Sequence, residues 1–168
     1  MVPSESPPRF RDDLSTIYDF MDEILIRCPR CGALATVAAY PKRLVLSPFQ
    51  SRRLSCRACG HVRDKDSGVY SMPNPDAPAM YDPYFALPLW LQAPTGHGLL
   101  WAYNLDHLAL IRRFVAAEPH EDAWTEEGLR MTLVSRLPRW IAQAGNRTEV
   151  LRVIARLEAS VSSRGPGS

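Results

Sequence analysis

Between residues 24 and 56 the apolar positions fall in short β-rich runs, ILIRC, ATVAAY, RLVL and RRLSC, each too brief for an ordinary helix. Pro41 and Pro48 stand between runs as breakers. The pattern predicts short antiparallel strands. Ahead of them, RDDLSTIYDFMDEILI alternates acids irregularly with apolar residues, which predicts a short helix leading into a strand. The first ten residues hold three prolines and two serines and read as a flexible tail.

Four prolines in SMPNPDAPAMYDP, residues 71–83, exclude a helix there and predict an extended strap between two parts of the protein. The following LPLWLQAPTGHGLLWAYN reads as two strands around a Pro/Gly loop, with Pro88 placing the first at an edge. Trp90 and Trp101 flank that loop as core aromatics. The segment Pro94 to His97, PTGH, echoes ACGH at Ala58 to His61, but a plain hairpin turn accounts for the same letters.

Beyond it the period lengthens to that of helices. Asn104 is placed to cap a helix with Asp106 in its first turn and Leu105, Leu108, Ile111 and Val115 recurring along it. A second helix is expected to open at Thr125, with Glu126 and Glu127 at its positive end and Leu129, Leu133 and Leu137 buried, until Pro138 kinks or restarts it. A third would begin with Asn146 and Glu149 as a capping box and bury Val150, Ile154, Leu157 and Val161.

The fold class that results is α+β. Its expected organisation is a tail and acidic lead-in at 1–26, a metal-binding strand module at 27–70, a Pro-rich linker at 71–83, a hairpin with about three helices at 84–162, and a frayed end at 163–168. No apolar h-region follows the N-terminal charges, and no apolar run is long enough to span a bilayer. The expected compartment is therefore the reducing cytoplasm, where paired cysteines serve metals or redox chemistry more often than disulfides.

Charge is distributed unevenly along the 168 residues. Residues 1–26 carry two Arg against six acids, residues 27–65 nine Lys/Arg against Asp64 alone, and residues 66–168 nine against eleven. The net values are −4, +8 and −2, so the basic charge coincides with the cysteines.

All four cysteines fall in two copies of CxxCG, CPRCG at Cys28 and CRACG at Cys56. Two intervening residues let both thiolates of a pair meet one ion from a tight turn, and the glycines Gly32 and Gly60 supply the backbone freedom such a turn needs. The 24 residues between Cys31 and Cys56 leave room for strands that bring the two turns together. A thioredoxin-like redox pair expects a βαβ setting and no second copy. An iron centre bound by four thiolates shares the spacing with zinc. A site closed by four protein ligands leaves no position for water, so the ion would be structural. His61, directly after the second turn, is expected to face solvent or support a ligand and not to replace a thiol.

CPRCG and CRACG separated by short strands resemble a zinc ribbon of the kind found in B-type transcription initiation factors, RNA polymerase subunits and small bacterial proteins. The resemblance covers about 40 residues. It implies a three-stranded antiparallel sheet holding one zinc through Cys28, Cys31, Cys56 and Cys59.

Other arrangements fail on their own terms. His120 and Glu121 begin HEDAW, but Trp124 stands where a metalloprotease helix would carry its second His. Neither HED nor HVRD belongs to a deaminase motif. His107 is expected to be exposed in a first helical turn. With no paired base and nucleophile, no phosphate-cradling glycine loop and no open metal site, the expectation is a non-enzymatic protein without an evident small-molecule substrate.

Binding is the remaining class. With Zn²⁺ and four thiolates contributing −2, residues 27–65 stay near +6, and Arg30, Lys42, Arg43, Arg52, Arg53 and Arg57 are candidates for phosphate contacts, Arg63 being a further cation of the stretch and Tyr40 and Phe49 available for base stacking. The expected role is a regulatory or accessory factor contacting nucleic acid. The rival is a protein adapter or immunity-type inhibitor whose basic face meets an acidic protein.

Overall fold

The computed structural model of the chain describes residues 10, 12–41, 49–66, 71, 74, 77–117 and 132–163. Lys42, Arg43, the RLVL run, HEDAW and the expected helix start at Thr125 lie outside the described residues.

Among the described residues, two antiparallel sheets and three helices make a mixed α+β fold. A four-stranded meander runs β1 (Glu23–Arg27), β2 (Leu34–Ala39), β3 (Arg52–Ser55), β4 (Val62–Lys65). Its register places Ile24 opposite Val37, Val37 opposite Leu54, and Leu54 opposite Arg63. The zinc-ribbon resemblance implied three strands; the fourth arises because ILIR, just before the first knuckle, pairs with β2 as β1. A 3-10 turn at Ile17–Phe20 precedes β1, as the lead-in pattern predicted, and Asp19 closes a capping box with Thr16.

Strand alternation places Ile24, Ile26, Val37 and Leu54 on the inner face, all fully buried, and each such side chain is worth roughly 1.5–3 kcal/mol. β1 is buried on both faces, which an outer strand rarely is. Residues 88–90 and Tyr103 cover it: Arg27 N donates to Pro88 O (2.9 Å), Trp90 N to Leu25 O (2.9 Å), and Leu25 N to Tyr103 O (2.8 Å). β1 therefore separates two cores. Ile24 and Ile26 join the inner face of the meander, while Leu25 joins Trp90, Leu108, Ile111 and Ile154. The opposite edge, β4, is exposed and carries Arg63, Asp64 and Lys65, a charged row that discourages pairing with another chain.

The expected hairpin is present as β5 (Leu91–Pro94) and β6 (Leu99–Ala102). Its loop is a plain turn in which Thr95 N donates to Gly98 O and the Thr95 hydroxyl accepts from His97 N and Gly98 N. A Cβ on Gly98 would lie 3.1 Å from the Trp140 ring, so glycine is needed there.

α1 (Leu105–Ala116) begins as predicted, with Asn104 Oδ1 accepting from His107 N. It packs with α3 (Arg147–Ser162) over the hairpin, and the short α2 (Arg139–Ala142) follows Pro138. Two helical expectations are corrected. Leu133 and Leu137 flank a 3-10 turn at Val134–Arg136, and Leu137 is extended because the next residue is Pro138. Asn146 has helical dihedrals and no side-chain cap, because its amide donates back to Trp140 O and Gln143 Oε1. Glu149 reaches across to Gly96 N (2.9 Å).

Candidate metal centre

The two cysteine pairs form the tips of two successive hairpins, β1–β2 and β3–β4. The tips are built alike. Cys28 N donates to Ala33 O and Gly32 N to Cys28 O (2.8 and 2.9 Å); Cys56 N donates to His61 O and Gly60 N to Cys56 O (both 2.9 Å). Gly32 and Gly60 hold φ of +72° and +69°, which side chains with a Cβ rarely adopt, and that is the physical reason for G in both copies of CxxCG.

Pairing of β2 with β3 brings the tips together. Cys28 Sγ lies 3.7 Å from Cys59 Sγ and Cys31 Sγ 3.6 Å from Cys56 Sγ, and all four sulfurs lie within 4.8 Å of one another. A tetrahedral zinc with bonds of about 2.3 Å needs sulfurs about 3.8 Å apart, so the four thiols are spaced for one such ion. The four cysteines are free and each pair contributes one buried residue, Cys28 and Cys56.

Proton competition within the quartet follows from the same closeness. Burial disfavours the Cys28 thiolate, but the N–H groups of Cys31 and Arg30, with the thiols of Cys56 and Cys31, outweigh it and bring Cys28 down to about 7. Cys31 moves the other way. The Ala33 N–H favours its thiolate, yet desolvation and the thiols of Cys59, Cys56 and Cys28 prevail and raise it to about 12. A divalent cation at the centre would let all four sulfurs ionise together. Arg30 N also donates to Cys28 Sγ (3.4 Å), the kind of support a ligating sulfur receives.

The basic residues singled out in the sequence separate into three environments. Arg52 is buried on the inner face, where it donates to Met21 O (2.6 Å) and lies over the Tyr84 ring. Burial makes its cationic form less favourable, against the Coulombic support of Tyr84 and Asp22. Arg53, on the outer face, is held bidentately by Asp64 (2.6 and 2.8 Å) and covers the Tyr40 ring at 3.3 Å. Arg30 and Arg57 sit exposed inside the two CxxC turns, beside the sulfurs. Arg63 is exposed over Phe85. Phe49 is exposed, and His61 is half-buried with its carbonyl used by Cys56.

His107, expected at the surface, is buried instead. It stacks on Phe20 (5.1 Å between centroids), meets Trp101 edge-on, and its Nδ1 accepts from Tyr103 N at 3.2 Å. Burial pushes its pKa down to about 3. A signal was available: His107, Ile111 and Val115 are spaced i, i+4, i+8 on α1.

No helix among the described residues is long and apolar enough to cross a membrane. No family model matches the chain, nor does any curated protein or any solved structure.

Proposed function

We propose that the chain is a non-enzymatic zinc-ribbon protein in which one structural Zn²⁺, held by Cys28, Cys31, Cys56 and Cys59, fixes two hairpin tips as a basic surface for nucleic acid. The observation that carries the reading is the convergence of the four sulfurs within 4.8 Å of one another at the ends of two paired hairpins. A closed four-thiolate site orients backbone and side chains and leaves no position for a reacting water. Arg30 and Arg57 are its phosphate-contacting residues, because both are exposed at the tips, whereas Arg52 serves the core and Arg53 is paired with Asp64.

The test is fluorescence anisotropy with single-stranded and duplex DNA and RNA across a salt series, on zinc-loaded protein. Affinity falls steeply with salt, and Arg30→Glu with Arg57→Glu weakens it at least about tenfold while lowering the salt slope by about 2. Absent or salt-independent binding overturns the reading. The rival, a protein adapter, has one observation in its favour: Tyr40 and Val62 are exposed on the outer face of the meander. It requires a stoichiometric protein partner that survives nuclease treatment in a pull-down.

A further inference from the structure

Between α1, β6 and the 3-10 turn at Val134–Arg136 lies a cavity of about 340 Å³, bordered by His107, Trp101, Ile111, Leu137 and Ile141, with Arg136 among its walls. A pocket of about 150 Å³ accommodates benzene, so this volume suits a molecule of roughly a dozen heavy atoms. Among the described residues lining it, Arg136 and His107 are the two with ionisable side chains, and they are complementary in kind. Arg136 lines the cavity and is exposed, and it takes part in none of the ion pairs among the described residues. His107 is buried, and its Nδ1 is already occupied by the Tyr103 N–H.

An imidazole that accepts at Nδ1 and is kept neutral by burial carries its proton on Nε2. One face of the ring is covered by Phe20, and among the described residues Tyr103 is the ring's hydrogen-bond partner. The ring borders the cavity, and Nε2–H is the donor it has left to offer a ligand. An exposed guanidinium lining the cavity and a neutral N–H donor in its wall together favour an anionic acceptor on an apolar body.

We propose that this cavity binds a small monocarboxylate with an aromatic or aliphatic body, the carboxylate taken by Arg136 and the Nε2–H of His107 and the body enclosed against Trp101, Ile111 and Ile141. The site shares no residue with the cysteine quartet, and it stands whether or not the hairpin tips contact nucleic acid.

The test uses the full-length, zinc-loaded chain with 2-naphthoate as the probe and 2-naphthylmethanol as its neutral counterpart, followed by ring ¹⁵N NMR of the histidines and by thermal melts. 2-Naphthoate shifts the His107 ring resonances and raises the melting temperature with concentration, and the alcohol binds at least about tenfold more weakly. Arg136→Gln brings 2-naphthoate to the affinity of the alcohol, and Leu137→Trp, which fills the cavity, abolishes binding while the protein still melts cooperatively. Undisturbed His107 resonances with either probe, equal affinity for the two, or undiminished 2-naphthoate binding in Arg136→Gln or in Leu137→Trp overturns the proposal.

Discussion

Arg52 in β3 places its guanidinium 4.3 Å over the ring of Tyr84, a residue 32 positions later and beyond the Pro-rich stretch. The same group donates to the Met21 carbonyl of the lead-in at 2.6 Å. One cation thus ties the meander to the segments on either side of it. Replacing Arg52 with Ala removes the donor from a buried carbonyl and the cover from Tyr84, and the expected cost is about 2–4 kcal/mol in urea unfolding of zinc-loaded protein. Arg52→Lys restores only part of that, since an ammonium lacks the planar face that lies over Tyr84 and the fork of donors at its edge. A change below about 0.5 kcal/mol in Arg52→Ala would show that the residue acts at the surface.

Asn104 does two things with one side chain. Its oxygen accepts from His107 N to cap α1, and its amide donates to Phe20 O (3.0 Å) and Glu23 O (2.9 Å), binding the helix start to β1. Asn104→Asp keeps the cap and loses both donations, whereas Asn104→Ala loses all three bonds. The expected order of stability is wild type, then Asp, then Ala, with the Ala variant down by about 2–3 kcal/mol. Equal stability of the Asp variant and wild type would remove the link to β1 from the account.

His107 gives the protein an acid-sensitive stability. Its folded pKa of about 3 lies below the ordinary value of 6.5, so the unfolded chain takes up the proton first as pH falls. The stability associated with the neutral ring is complete above pH 6.5 and is lost between there and about 3, at a slope approaching 1.4 kcal/mol per pH unit. Asn at position 107 offers Tyr103 N an acceptor and does not titrate. The difference in unfolding free energy between wild type and His107→Asn therefore shrinks as pH is lowered from 7 to 4, by a comparison in which loss of the metal at low pH is common to both. A difference independent of pH would show that His107 titrates alike in the folded and the unfolded chain.

The parts most legible in sequence were those set by local rules. Two CxxCG copies announced both hairpin tips because thiolate convergence and a positive-φ glycine leave little choice of residue. Asn104 and the Pro/Gly loop between Trp90 and Trp101 were equally plain. What escaped the reading is decided by tertiary packing. Arg52 resembles any other cation of a basic run, yet alternation puts it on the same face as Leu54, and that face is covered by Tyr84, which no local pattern of β3 announces. Asn146 and Glu149 carry capping-box letters, but a preceding 3-10 turn at Ala144–Asn146 already sets the helix entry, and both side chains are used elsewhere. His107 is expected at the surface from its place in a first helical turn, although its spacing puts it with Ile111 and Val115.

The proposed metal ion would join the tips of β1–β2 and β3–β4, adding to the β2–β3 pairing and the small core that otherwise hold the meander. The most direct measurement is metal analysis of the protein purified under reducing conditions, paired with amide hydrogen exchange before and after a strong chelator. One zinc per chain and a collapse of protection across β2, β3 and β4 on chelation are the predicted results. A chain that carries no metal, or strands that keep their protection once the metal is gone, would contradict it.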